Sequence, residues 1–157
     1  MTLYLDTSSL LKLYVDEQGS LDVVDLVESA DVVATLTLTY TEARSALARR
    51  RREGLLPVRG LAAVRRVLDT EWAALLHLAV TPELCAQAAD LAERYRLRAY
   101  DSLHLAAFAD IARHAGAEHA AFSSADVALN RAAKALARSS GRARSPSAPS
   151  RSKAPLP

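Results

Sequence analysis

Leu3-Tyr4-Leu5-Asp6-Thr7-Ser8-Ser9-Leu10-Leu11-Lys12-Leu13-Tyr14 sets a short apolar run against an acid and then against an amphipathic stretch. An unbroken apolar run of this length suits a strand buried on both faces, and the stretch near 8–15 has helical spacing. The same alternation recurs along the chain. Runs at 3–5, 32–35, 76–80 and 119–122 read as strands, and helical patterns lie near 8–15, 20–29, 39–53, 58–74, 82–95, 100–115 and 126–137. Thr81-Pro82-Glu83 supplies a capping residue, a first-turn proline and an acid at the positive end of one helix. Gly54 and Gly116 stand where helices should stop. Strands that alternate with helices need crossover connections. The expected fold is therefore an α/β three-layer sandwich, with a short, mostly parallel sheet of four to five strands flanked by helices.

The length of 157 residues fits one domain of 1–137 and a tail of 138–157. The end of the chain is rich in Ser, Pro, Ala and Arg and poor in large apolar residues, a composition expected to stay disordered. That tail holds five basic residues and no acid, which leaves 15 basic against 18 acidic residues in 1–137. The basic balance of the whole chain thus comes from the tail, and overall charge is no argument for nucleic-acid binding. No apolar run approaches the roughly 20 residues of a membrane helix. The start lacks the basic region of a signal peptide, and a single cysteine, Cys85, excludes an intrachain disulfide. A reduced, cytoplasmic setting is expected.

Four carboxylates fall at comparable places. Asp6 follows the first expected strand, Glu42 lies in the first turn of the helix after the second, Asp101 opens the helix near 100, and Asp126 opens the last. Ligands of open parallel sheets collect beyond the carboxyl ends of the strands, where these acids can converge. Each also has a plain structural reading. Thr39-Tyr40-Thr41-Glu42 fits a capping box, Ser123-Ser124-Ala125-Asp126 is a near variant, Asp6 can cap a helix starting near Ser8, and Asp101 can complement a helix dipole. Gathered in one pocket, such carboxylates repel unless a cation compensates, and hard oxygen donors suit Mg2+ or Mn2+. A site of that kind activates water and stabilises charge on a phosphate undergoing displacement.

Four stretches in order resemble the acidic motifs of PIN domains. They are Tyr4 to Tyr14, Thr39 to Leu47, Arg98 to Ala107 and Phe122 to Ala133, and together they span about residues 1–137. The likeness is to the VapC-type toxin subset. It implies an endoribonuclease that uses Mg2+ or Mn2+, with Asp6 and Asp101 as principal metal ligands, Glu42 binding metal through water or orienting the attacking water, and Asp126 as the fourth acid, a position at which PIN proteins vary. Thr7 and Ser124 are similar to hydroxyl residues that line such sites. The resemblance also implies a homodimer and a small antitoxin protein covering the groove; the RNA substrate itself is not indicated.

Other residues carry weaker signals. His77, His104, His114 and His119 show no metal-ligand spacing, and His104, three residues after Asp101, is read as packing or helix support. The run Arg49-Arg50-Arg51-Arg52 points in several directions on a helix and is read as a solvated end, while Lys12 is a candidate phosphate contact. Trp72, Tyr95 and Tyr100 are read as core or dimer contacts, and Cys85 as a small apolar residue. A phosphatase with an aspartyl nucleophile would want a second Asp at position 8, where Ser8 stands, and no glycine-rich phosphate loop is present. The remaining alternative is a non-catalytic RNA- or protein-binding module on the same fold.

Overall fold

In a computed structural model, which describes residues 1–143, four parallel strands form a single sheet in the order β3-β2-β1-β4. They are β1 (Thr2–Leu5), β2 (Val32–Leu36), β3 (Leu76–Leu78) and β4 (Ala120–Ser123). Strand β1 lies between β2 and β4, with Tyr4 opposite Ala34 on one side and Phe122 on the other. Successive side chains of a strand point to opposite faces, so this central strand feeds two cores. Tyr4 enters a cluster with Ala34, Leu36, Leu105, Phe108 and Leu129, whereas Leu3 and Leu5 join Leu10, Val23, Ala43, Leu47 and Leu68. Double burial explains why the opening run is apolar at consecutive positions rather than alternating.

Helices α1 (Thr7–Leu11), α2 (Ser20–Glu28), α3 (Thr37–Arg52) and α4 (Val58–Trp72) supply the second cluster. Helices α5 (Pro82–Tyr95), α6 (Ala99–Ala115) and α7 (Val127–Ala143) cover the other face. The architecture is the expected three-layer sandwich, with four strands rather than five among the described residues. Gly54 and Gly116 take φ of +77° and +93°, the left-handed region in which a side chain would be strained, and follow the ends of α3 and α6.

Several boundaries differ from expectation. The first helix stops at Leu11, because the chain tightens there into three-residue turns from Lys12 to Tyr14. Helix α3 begins two residues early, at Thr37 after an N-cap at Leu36, so Glu42 sits in the second turn. Thr39 is fully buried inside that helix and takes a hydrogen bond from Thr35, so the expected capping box does not form. Helix α7 continues to Ala143, past the helical pattern expected near 126–137; the expected tail beyond 143 lies outside the described residues. Cys85 is exposed rather than packed. No helix among the described residues is long and apolar enough to cross a membrane.

Leu105, at the centre of α6, is fully buried. Leu105→Ala is expected to cost ~2–5 kcal/mol, seen as a lower urea midpoint with an unchanged slope. A loss below ~0.5 kcal/mol would show that α6 does not anchor the core.

Candidate active site

The chain runs from β1 to β2 to β3 on one side and returns to place β4 on the other side of β1. This reversal leaves a crevice beyond the carboxyl ends of β1 and β4, the position where open α/β sheets gather ligands. A cavity of about 770 Å3 opens there, and Asp6, Glu42, Asp101 and Asp126 all line it. Residues separated by 120 positions in the chain thus share one cleft. Each arrives for a different local reason.

Asp6 ends β1 and caps α1. Its Oδ1 accepts from the Ser9 amide at 2.9 Å and the Ser8 hydroxyl at 2.7 Å, and its Oδ2 accepts from the Ser124 hydroxyl at 2.6 Å. The Asp6 amide donates to the Ser123 carbonyl at 3.1 Å, which locks the ends of β1 and β4 together. Asp126 is the N-cap acceptor for α7, taking the amides of Ala128 at 2.7 Å and Leu129 at 3.1 Å. The loop before it is fixed by Asn130, which donates to the Ser124 carbonyl and accepts from its amide.

Glu42 belongs to a stripe of α3. Leu38, Thr41, Glu42, Ser45 and Arg49 recur at helical spacing and line the cleft, while Thr39, Ala43 and Leu47 face the core. One oxygen of Glu42, Oε2, accepts from the Thr7 hydroxyl and lies 3.1 Å from His104 Nε2. Burial works to raise the pKa of Glu42, but the hydrogen bonds from His104 and Thr7 outweigh it and hold the carboxyl below its ordinary value. Asp101 lies in the first turn of α6 and accepts from Arg98, from Nε at 2.7 Å and from the terminal nitrogen at 3.3 Å. That hydrogen bond and the nearby Asp101 charge, with Asp126 adding, raise the pKa of Arg98.

The arrangement fits a hard divalent cation only in a particular way. The donors are carboxylate oxygens, yet among the described residues no three His, Cys, Asp or Glu side chains are grouped closely enough to hold an ion. Each acid is engaged with its own partners instead. Mg2+ usually takes one or two protein carboxylates and keeps several waters, so an open site of this kind suits it where a closed cage would not.

Some residues differ from their sequence reading. Lys12 donates to the Gln18 carbonyl at 2.6 Å, outside the cleft lining. The four arginines diverge as expected, but Arg49 faces the cleft while Arg50 pairs with Glu17 at 2.5 Å. Tyr100 is 60% exposed and lines the cleft, so it is not a core residue. Trp72 stacks on His77 at 4.4 Å and Tyr95 packs on the core. The roles of Ser8, Arg98, Asn130 and Tyr4 come from partners that the sequence alone does not name. The spacing of Arg98 and Asp101, three apart at a helix start, was the one local signal available.

The PIN domain family model matches residues 3–135. Ribonuclease VapC45 and ribonuclease VapC49 of Mycobacterium tuberculosis are each 34% identical over 103 residues, 66% of this chain and 72% of theirs. The fold is shared with PAE2754 from Pyrobaculum aerophilum, at a TM-score of 0.59 and 21% identity over 90% of both chains. It is shared also with the sarcin-ricin loop cleaving toxin VapC20 of M. tuberculosis, at 0.56 and 22% identity over 79% of this chain and 91% of that one.

Asp126→Ala is expected to lower stability by ~1 kcal/mol through loss of the α7 cap, and Asp126→Ser to recover most of it. Thermal and chemical denaturation check this; an alanine variant as stable as the parent would contradict the cap.

Proposed function

Because this chain belongs to the PIN-domain family, we propose that it is a metal-dependent endoribonuclease, the toxin component of a toxin–antitoxin pair. The observation that carries the reading is the convergence of Asp6, Glu42, Asp101 and Asp126 on one cleft at the switch point of the sheet. The ribonuclease names of its 34% identical relatives support the same activity.

Asp6 and Asp101 are assigned as the principal ligands of Mg2+ or Mn2+, and Glu42 and Asp126 as acids that act through water. When bound, such a cation lowers the pKa of water and stabilises charge on a phosphate. The chain's own part is positioning. Three donors fix the Asp6 carboxylate in orientation, and Thr7 and His104 fix one oxygen of Glu42. Arg49, exposed on the α3 wall, and Arg98, at the start of α6, place cations beside the acids, where RNA phosphates would meet them. Asp101 would hold the cation through lone pairs that Arg98 leaves open or in place of Arg98, whose guanidinium would find a natural acceptor in a phosphate. A small antitoxin that covers the cleft, and a homodimeric assembly, complete the proposal.

The Arg98–Asp101 ion pair also favours a second reading, a non-catalytic binding module, since it already neutralises one of the acids. Purified protein freed of any partner separates the two. The enzyme is expected to cut structured RNA with Mg2+ or Mn2+, to stop with EDTA, and to fold but lose activity as Asp6→Asn. RNA retention without metal-dependent cleavage would favour the module, and equal cutting by Asp6→Asn would reveal a contaminating nuclease.

Arg49→Gln is expected to weaken RNA binding while leaving the fold intact, and to reduce the slope of log affinity against log salt by ~0.7, the share of one phosphate contact on a single strand. An unchanged slope in a binding titration would remove Arg49 from the RNA path.

A further inference from the structure

His104 is the one histidine of the cleft, and it is 3% exposed. Its ring bridges two groups far apart in sequence. Nδ1 lies 2.8 Å from the Tyr4 hydroxyl, and Nε2 lies 3.1 Å from Glu42 Oε2 and 3.4 Å from the Thr7 hydroxyl. Tyr4 is fully buried in the central strand. Its ring stacks on Phe122 at 5.6 Å and meets His104 edge-on at 5.9 Å. Packing therefore leaves the phenol little freedom to aim its hydroxyl elsewhere.

The chemistry of the two ends assigns the ring proton. A carboxylate can only accept, so the hydrogen between Nε2 and Glu42 belongs to the ring. At the other end, a phenol carries its proton at neutral pH, and the side-chain nitrogen within hydrogen-bond distance of the Tyr4 hydroxyl is Nδ1. Nδ1 is the acceptor beside that proton. Both ends thus fit a ring that carries its hydrogen on Nε2. Thr7 donates to the same Glu42 oxygen, which leaves Oε1 with no protein donor among the described residues.

We propose that Tyr4 and His104 are positioning residues for Glu42: Tyr4 fixes the ring as its Nε2–H form, and that N–H pins one carboxylate oxygen so that the other stays free for what the cleft binds. What the free oxygen does rests on the ribonuclease reading above, whereas the hydrogen-bonded chain exists in the protein alone. Nothing in the four acidic motifs assigns this task to either residue. A purely space-filling histidine would tolerate an apolar replacement of similar size; a positioning one requires a donor at the Nε2 position.

Two measurements test it. Long-range proton–nitrogen correlation spectra of the metal-free, nitrogen-15-labelled chain report which ring nitrogen of His104, assigned through its contact with the Tyr4 ring, carries the hydrogen. Nε2–H is expected, and a hydrogen on Nδ1 alone would overturn the proposal. In RNA cleavage, Tyr4→Phe and His104→Leu are expected to lower kcat ~10- to 100-fold, the range for residues that orient a metal-site group, with little change in KM. His104→Gln, whose amide N–H can stand where Nε2–H stood, is expected to restore much of that loss. Full activity of His104→Leu, or a folded glutamine variant no better than a folded leucine one, would overturn the positioning role. A wild-type chain that cuts no RNA at all would instead sink the ribonuclease reading, and the location of the ring hydrogen would still decide for or against the Tyr4–His104–Glu42 chain.

Discussion

The Asp6 carboxylate accepts from the Ser8 hydroxyl at 2.7 Å, the Ser9 amide at 2.9 Å and the Ser124 hydroxyl at 2.6 Å, and so joins the end of the first strand to the start of the last strand–helix junction. Ser8 extends the same link by accepting from the Ala125 amide at 2.8 Å, and the Ser9 and Ser123 hydroxyls meet at 2.9 Å beneath it. With Asp6 only 6% exposed, this small polar knot forms part of the cleft floor that Asp6 lines. It depends in turn on β1 being paired on both sides and packed on both faces, which leaves the strand no freedom to slip. The position of α7, and with it Asp126, follows from the knot.

Capping and site formation are one arrangement here, not competing explanations. Asp6 and Asp126 each cap a helix and line the cleft, and Asp101 occupies the first turn of α6. Helix N-termini point amide groups and positive dipole ends toward the crevice. They therefore temper the repulsion among carboxylates that a bare cluster would suffer. The acids can gather before any cation arrives, although they do not close into a cage. On the proposed reading, an open site would leave a bound cation positions for water and for a phosphate.

Much of this was legible in the sequence because it was written in local chemistry. Consecutive apolar residues at 3–5 announced a doubly buried strand, and acids at strand ends announced the cleft. The readings that differ are those decided by which face a side chain buries rather than by the residue types beside it. Thr39 looks like a cap from its neighbours, yet Thr35 and the buried face of α3 place it inside a helix. Tyr100 looks like a core aromatic, but it shares the start of α6 with Asp101 and His104, which line the cleft with it. His104 drew notice only through its spacing from Asp101; its partner Tyr4 lies 100 positions away, and no pattern along the chain could pair them. Arg49 was hidden by its three arginine neighbours, since helical geometry alone says that they diverge and not which one meets the cleft.

The account stands on one cation site shared by four acids, and paramagnetic broadening by Mn2+ locates such a site without recourse to catalysis. Saturable loss of amide signals is expected around residues 6–8, 42, 98–104 and 124–126, while β3 and the outer face of α4 keep their intensity. Broadening that never saturates, or that centres on acids outside the cleft, would contradict the account.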